Sequence, residues 1–211
     1  MRGEHTWAEI EALFASYQPQ QDIEETAALF SVLRRMAPLG TVVEIGTRYA
    51  GNLRLLNEFC DSGSLSIGID LYEDDPTWGV KRHGAEHFRG KVEFVTGDSS
   101  APETVRRVDA LLGERTIDLL WIDGDHRAES ALRDFRAYLP KMSLYGLVAF
   151  HDIAHGNPAR GAWDAVAAEH SGPYAKATRF IIEIAGSFGI GLLLMNEHLF
   201  LDSRNTRRLF G

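Results

Sequence analysis

Short apolar runs alternate with amphipathic segments through the middle of the chain. Runs rich in branched apolar residues predict five strands, at 41–45, 65–69, 92–95, 117–122 and 146–150. Apolar residues at helical spacing predict helices between most of them, at 53–59, 102–112 and 128–139. Strands that alternate with helices form βαβ units, so we expect a parallel sheet with helices on both faces.

The two ends of the chain follow other patterns. Residues 6–36 are helical in pattern, with an interruption at 18–21, and Thr6 and Glu9 have the spacing of a capping box. After a predicted helix at 162–169, strands are predicted at 178–184 and 189–195, with only four residues between them. No helix fits there, so these strands form an antiparallel hairpin. We therefore expect an α/β fold with a doubly wound, mostly parallel seven-stranded sheet, preceded by N-terminal helices. Residues 1–39 are expected to form a helical extension to a main domain at 40–211.

Composition and charge exclude several classes of function. The 211 residues carry 22 Lys and Arg against 30 Asp and Glu, a net charge of −8. An acidic chain is a poor non-specific partner for nucleic acid or anionic membranes. The single cysteine, Cys60, excludes an internal disulfide and a cysteine-based zinc site. No signal-peptide pattern is seen and no apolar run reaches the roughly 18 residues of a membrane span, so we expect a cytoplasmic protein.

A carboxylate lies at or next to the end of every predicted parallel strand. Open α/β sheets bind ligands at the carboxyl ends of their strands. A single aspartate there often makes a turn or caps a helix. Five on one rim favour a binding site instead; they are Glu44, Asp70, Asp98, Asp123 and Asp152.

The loop after the first predicted strand reads GTRYAG, from Gly46 to Gly51. Glycines there let a ligand approach the backbone. The loop lacks the G-x-G-x-x-G pattern of dinucleotide-binding proteins, which argues against an oxidoreductase. Asp70 ends the second strand, where α/β nucleotide sites place the carboxylate that binds ribose hydroxyls.

The densest polar cluster is Asp123-Gly-Asp-His126, after the fourth predicted strand. If the fourth and fifth strands are neighbours, Asp123 and Asp152 lie near each other, since adjacent strands are about 4.8 Å apart. Two such carboxylates repel unless a cation or a proton lies between them, and oxygen ligands suit Mg²⁺, Ca²⁺ or Mn²⁺. His126 has the reach of a general base. His151 is a possible ligand, although in an extended strand it would point away from Asp152.

Four segments together resemble class I S-adenosylmethionine-dependent methyltransferases. VVEIGTRYAGN resembles their motif I, GIDLYED their second-strand acidic motif and FVTGDSS their adenine-side loop. The segment WIDGDHRAESALRDFRAYLPKMSLYGLVAFHDI is similar to the family of cephalosporin hydroxylase-type proteins and antibiotic deoxysugar O-methyltransferases. The resemblance covers about residues 40–195 and implies a Rossmann-like fold that ends in an antiparallel hairpin.

The resemblance also implies roles for individual residues. The residues placed at the cofactor are Glu44, Gly46, Thr47 and Gly51 at its methionine part, Asp70 at the ribose, Asp98 and Ser99 at the adenine, and Asp123. A divalent metal would be held by Asp123, His151 and Asp152. Asp123 and His126 would be the catalytic residues, with His126 as the base. His151 stands where related members often have an acidic residue, which could change the preferred metal or remove a ligand.

The expected function is S-adenosylmethionine-dependent, Mg²⁺- or Mn²⁺-assisted O-methylation of a small hydroxylated molecule, such as a sugar or a natural-product intermediate. The alternatives are a metal-independent N- or C-methyltransferase of the same fold, a nucleotide-binding oxidoreductase and a non-catalytic accessory subunit. We expect neither nucleic-acid nor membrane partners. The N-terminal helices and the polar segment 73–90 are candidates for a lid or for the contact of a homodimer.

Overall fold

The computed structural model describes residues 5–71, 84–171 and 179–196. Its helices are α1 (Trp7–Tyr17), α2 (Ile23–Met36), α3 (Gly51–Asn57), α4 (Pro102–Leu112), α5 (Ala128–Tyr138) and α6 (Arg160–His170). Its strands are β1 (Leu39–Ile45), β2 (Cys60–Asp70), β3 (Lys91–Thr96), β4 (Ile117–Ile122), β5 (Met142–Phe150), β6 (Phe180–Ile184) and β7 (Ile190–Leu194). Short 3₁₀ turns lie at Ala85–His87 and Leu139–Lys141.

The seven strands form one sheet in the order β3-β2-β1-β4-β5-β7-β6. The first five strands pair in parallel, and β7 lies antiparallel between β5 and β6. The expected α/β fold with its terminal hairpin is confirmed. Strand order reverses between β1 and β4, which is where open α/β sheets bind their ligands.

The register brings the ends of the central strands to one level. Ile45 of β1 pairs with both Ile69 of β2 and Ile122 of β4, and Ile122 pairs in turn with Phe150 of β5. The residues that follow these strands therefore meet at one rim, as the sequence predicts.

Apolar side chains cover both faces of the sheet. One face packs against α4, α5 and α6 through residues such as Val108, Phe135 and Trp163. The other packs against α1, α2 and α3 through residues such as Phe30 and Leu53. Burial on both faces explains why the strands read as nearly continuous apolar runs.

Several strands begin earlier than the hydrophobic pattern indicates. β1 begins at Leu39, and β2 and β5 begin at Cys60 and Met142, because ladder pairing continues past the apolar runs across irregular register. β1 thus starts within the stretch assigned from sequence to the helical extension. The predicted capping box of α1 is confirmed. Most of the polar segment 73–90, including Trp78 and His83, lies outside the described residues, as does the predicted first residue of β6.

In the part of the chain that the structure describes, no helix combines the length and apolar character needed to cross a membrane.

Candidate active site

A cleft of about 680 Å³ opens at the carboxyl ends of β1, β2, β4 and β5. The predicted site residues that line it are Gly46, Asp70, Asp98, Ser99, Asp123, His126, His151 and Asp152. Lining residues that the sequence did not indicate include Gln20, Arg48, Ser130, Arg133, Asp134 and Phe188. The three other predicted residues, Glu44, Thr47 and Gly51, lie behind this surface.

Glu44 braces the loop after β1 from inside the protein. Its side chain is buried and accepts hydrogen bonds from Thr47 Oγ1 and Asn52 Nδ2, each at 2.7 Å. Burial raises the pKa of Glu44 to about 8. Glu44 and Thr47 therefore shape the loop, and the loop in turn presents its backbone to the cleft.

The two glycines of this loop are required by neighbouring protein backbone. Gly46 has φ +82°, and a Cβ there would lie 2.1 Å from the carbonyl oxygen of Asp123. A Cβ at Gly51 would lie 2.7 Å from the carbonyl oxygen of Tyr17, at the end of α1. Gly46 lies in the cleft, but Gly51 packs against the N-terminal helix. Gly51 is therefore absent from the lining of the cleft, and its contact with the cofactor stays a prediction.

The side of the cleft near β2 and β3 is polar. Asp70 Oδ2 accepts a hydrogen bond from the amide of Arg48 at 2.7 Å. Asp98 Oδ1 accepts from the amide and the hydroxyl of Ser100, each at 2.9 Å. Asp70 thus ties the loop after β1 to β2, and Asp98 shapes the loop after β3.

Asp134 is a buried carboxyl of the cleft that the sequence reasoning missed. It accepts a hydrogen bond from Ser99 Oγ, and burial raises its pKa to about 6. The sequence does contain an indication that Asp134 is unusual. Asp134 shares the inward face of α5 with the buried residues Ala131, Phe135 and Tyr138, and a carboxylate on an apolar stripe is unusual.

Asp123, directly after β4, is held from three sides. Its Oδ1 lies 2.9 Å from Nδ1 of His151. Its Oδ2 accepts from Gln21 Nε2 at 2.9 Å and from Trp121 Nε1 at 3.3 Å. The carboxylate therefore has a defined orientation before any ligand binds.

Asp152 pairs with His126 across the cleft, with His126 Nδ1 2.6 Å from Asp152 Oδ2. That hydrogen bond raises the pKa of His126 above its ordinary value. Burial works to raise the pKa of Asp152, but the bond from His126 and the charge of His151 hold it below its ordinary value. Burial would lower the pKa of His151, but its bond to Asp123 and nearby carboxylates raise it.

Asp123, His126 and Asp152 form a candidate metal-binding group. One ligand atom from each lies within 4.8 Å of the others. Ligand distances of about 2.0–2.6 Å place opposite ligand atoms roughly 4–5 Å apart, so the spacing fits a divalent ion. The two carboxylates suit Mg²⁺ or Mn²⁺, whereas an imidazole ligand favours a transition-metal ion such as Mn²⁺ over Mg²⁺.

His126 joins the two carboxylates of the set predicted from sequence, which was Asp123, His151 and Asp152. β5 ends at Phe150, and Asp152 has φ +59°, so the chain turns here and the extended geometry assumed from the sequence does not hold. Nδ1 of His151 lies 2.9 Å from Asp123 Oδ1 and 3.7 Å from Asp152 Oδ2. His151 therefore orients Asp123, and its role as a metal ligand stays a prediction.

The hairpin turn between β6 and β7 also reaches the site. The ring of Phe188 lies over His151, with ring centroids 5.4 Å apart, and Trp121 lies 5.6 Å from the same imidazole. Neither Phe188 nor Gln21 stood out in the sequence, since both lie in short linking segments far from β4.

Residues 43–153, more than half of the chain, match the family model described as "Methyltransferase domain". The chain belongs to this methyltransferase family. The matched region spans β1 to the residues just after β5, and so contains the loop after β1 and both members of the Asp123–Asp152 pair. The expectation of a class I S-adenosylmethionine-dependent methyltransferase is confirmed.

Comparisons with known proteins find a relative in sequence and several in structure. The uncharacterized protein y4gI of Sinorhizobium fredii is 24% identical over 129 residues, which cover 58% of this chain and 14% of that protein. The chain therefore spans only a small part of that relative. An O-methyltransferase from Bacillus cereus, solved with S-adenosylhomocysteine, is 16% identical with a TM-score of 0.61, over 92% of each chain.

Two further solved structures are of proteins from biosynthetic pathways. TomG of Streptomyces achromogenes, an O-methyltransferase of tomaymycin synthesis solved with S-adenosylmethionine, is 14% identical with a TM-score of 0.63, over 92% of this chain and 90% of that one. The mycinamycin-pathway methyltransferase MycE, solved with Mg, S-adenosylhomocysteine and mycinamycin VI, is 18% identical with a TM-score of 0.60, over 89% of this chain and 55% of that one. At these identities the likeness concerns the fold.

Proposed function

We propose that this methyltransferase transfers the methyl group of S-adenosylmethionine to a hydroxyl of a small molecule, with the help of a divalent metal ion. The observation that carries the proposal is the group Asp123, His126 and Asp152, which meets within 4.8 Å in the cleft of a methyltransferase fold. N- or C-methylation without a metal would give this group no evident task.

The cofactor is assigned to the half of the cleft between β1 and β3. Gly46 presents backbone there, Asp70 ends β2, and Asp98 and Ser99 come shortly after β3. Asp70 is the carboxylate proposed for the ribose hydroxyls. Asp98 and Ser99 lie where the adenine would rest, and Ser99 is backed by Asp134.

Asp123 and Asp152 would hold the metal ion. Both carboxylates lie at the cleft, and the side chains of both are largely buried, with 14% and 16% exposed. When His126 and His151 are neutral, two such carboxylates still need a counter-charge, which a divalent ion would supply. A divalent ion bound here would lower the pKa of a hydroxyl that approaches it and would fix the position of that oxygen.

His126 is the proposed base. When Nδ1–H donates to Asp152, Nε2 remains as the atom that accepts a proton from the acceptor hydroxyl. The carboxylate fixes the tautomer and the ring orientation, as it does in other carboxylate–histidine pairs. With 55% of its side chain exposed, His126 is accessible to an acceptor that enters from the solvent.

The acceptor class follows from the same residues and from the solved relatives. A cleft with carboxylates, a half-exposed imidazole and the ring of Phe188 suits a hydroxylated molecule with an apolar face. MycE belongs to the mycinamycin biosynthetic pathway, and TomG is involved in tomaymycin synthesis. We propose a sugar or a natural-product intermediate as the acceptor.

The test uses S-adenosylmethionine with a labelled methyl group and a panel of hydroxylated sugars and phenols. We expect label transfer with Mg²⁺ or Mn²⁺, loss of transfer with EDTA, and loss in Asp152→Asn. We also expect His126→Gln to transfer much less label. His155→Gln is its matched control, since His155 is exposed and lies outside the residues lining the cleft. Transfer that EDTA and Asp152→Asn both leave unchanged would contradict the metal-assisted reaction.

A further inference from the structure

We infer that the segment from Gln21 to Glu25 is a positioning element of the methyl-transfer site: Gln21 orients Asp123, and Glu25 fixes the turn that holds Phe188 against His151. The inference rests on the function proposed above. It gives the N-terminal segment a task within its own protomer, while the lid or dimer contact expected from sequence stays a prediction.

Gln21 precedes α2 and reaches the end of β4. Its Nε2 donates to Asp123 Oδ2 at 2.9 Å, from 102 positions earlier in the chain. Because the other oxygen of Asp123 faces His151, Gln21 helps to set the rotation of the carboxylate about its own axis, with the shorter of the two hydrogen bonds to Oδ2; the other comes from Trp121 at 3.3 Å. An outer partner that orients a metal-binding carboxylate contributes to the affinity for the ion.

Glu25, in the first turn of α2, holds the hairpin turn. Its Oε1 accepts from the amides of Phe188 and Gly189 at 2.8 and 2.9 Å, and Asp22 Oδ2 accepts from Ser187 Oγ at 3.0 Å. The fit is close, since a Cβ at Gly186 would lie 2.2 Å from Glu25 Oε1. Glu25 is 2% exposed, so its carboxylate is committed to this turn.

These contacts close a ring. Gln21 binds Asp123, Asp123 binds His151, and the ring of His151 packs against Phe188. The amide of Phe188 donates to Glu25, in the first turn of the helix that Gln21 precedes. A change at either end of the segment is therefore transmitted to the carboxylate at the centre.

Three buried atoms of the ring have no hydrogen-bond partner among the described residues. They are Gln21 Oε1, Glu25 Oε2 and His151 Nε2. Unsatisfied buried polar atoms are costly, and a contact that served stability alone would gain from replacing them by apolar groups. Their presence in one ring around Asp123 favours a role in the site.

The experiment measures Mn²⁺ binding by electron paramagnetic resonance and S-adenosylhomocysteine binding by calorimetry, in wild type, Gln21→Leu, Glu25→Gln, Glu25→Ala and the control Glu24→Gln. Glu24 is exposed and lies on the same turn. We expect Gln21→Leu and Glu25→Ala to weaken Mn²⁺ binding by about 10- to 100-fold. S-adenosylhomocysteine affinity should stay within twofold. Glu25→Gln retains an oxygen that accepts both amides, so it should behave nearly as wild type, as should Glu24→Gln.

A second readout is independent of the metal. The Nδ1–H signal of His151, assigned in nitrogen-labelled protein by its absence in His151→Asn, should shift in Gln21→Leu and Glu25→Ala and stay in place in Glu24→Gln. Wild-type Mn²⁺ affinity in folded Gln21→Leu, with an unshifted His151 signal, would overturn the inference and leave the proposed function intact. If wild type binds no Mn²⁺, the metal-assisted function falls, and the His151 signal alone then decides the inference.

Discussion

Gly46 and Asp123 are in direct backbone contact: a Cβ on Gly46 would lie 2.1 Å from the carbonyl oxygen of Asp123. The amide of Asp123 also donates to the carbonyl of Ile45, at 2.9 Å. The loop proposed for the cofactor and the carboxylate proposed for the metal are therefore parts of one rigid unit. Such a unit would keep the methyl donor and the acceptor oxygen in alignment, which is a large part of what an enzyme supplies to a displacement reaction.

Gly46→Ala should destabilise the protein, because the added methyl group meets backbone that cannot rotate away and Gly46 has φ +82°. We expect the free energy of unfolding to fall by about 2–4 kcal/mol, the combined cost of overpacking and a left-handed alanine. Urea unfolding measures this loss of free energy of unfolding. Gly113→Ala is the matched control, since Gly113 has φ +58° with no atom within 4 Å of the added Cβ. Equal losses in the two variants would show that the Gly46–Asp123 contact is not a tight one.

Glu44→Gln should flatten the dependence of stability on pH. The folded pKa of Glu44 is about 8, against an ordinary value of 4.5. The neutral carboxyl of Glu44 therefore contributes its full stabilisation of the folded protein below about pH 4.5. This contribution is lost as the pH rises through 8. Over this window wild type should lose stability relative to Glu44→Gln, by an amount on the order of a few kcal/mol.

Thermal or urea unfolding of both proteins between these two pH values checks the prediction for Glu44. Glutamine can still accept from Asn52 and donate to Thr47, so the variant should fold. Parallel stability profiles for wild type and Glu44→Gln would mean that Glu44 is ionised in the folded protein throughout.

Much of this arrangement is readable from the sequence, because a parallel sheet converts strand ends into neighbours. Asp70, Asp123 and Asp152 each follow a strand of the predicted set, and the sheet brings them to one cleft. The approach of His151 to Asp152 was not readable, since it depends on the positive φ of Asp152. Gln21 and Phe188 reach the site from opposite ends of the chain, and no local pattern records such tertiary contacts.

Asp70→Asn should weaken S-adenosylmethionine binding by about 10- to 100-fold, the range for hydrogen bonds made by a charged group. The loss has two sources, the proposed contact to the ribose and the anchor for the amide of Arg48. Calorimetric titration of the cofactor measures it. Glu114→Gln, an exposed carboxylate outside the lining of the cleft, should bind as wild type does. Unchanged affinity in Asp70→Asn would remove Asp70 from the cofactor site.

The variant His126→Gln distinguishes two roles for His126, a general base and a metal ligand. If His126 is the base, kcat should fall by about 10²- to 10⁴-fold, while S-adenosylmethionine and Mn²⁺ bind nearly as in wild type. Steady-state kinetics with a responsive acceptor and a Mn²⁺ titration provide both values. A loss of Mn²⁺ affinity as large as in Asp152→Asn would instead assign His126 to the metal, as the 4.8 Å grouping also permits.

The most direct measurement is a calorimetric titration of Mg²⁺ or Mn²⁺ into the S-adenosylmethionine complex of metal-stripped protein, in wild type and in Asp152→Asn. We predict one saturable ion site in wild type and its loss in Asp152→Asn, with cofactor affinity unchanged. Cofactor binding without a saturable ion site, or an ion site that Asp152→Asn leaves intact, would contradict metal-assisted methyl transfer at Asp123 and Asp152.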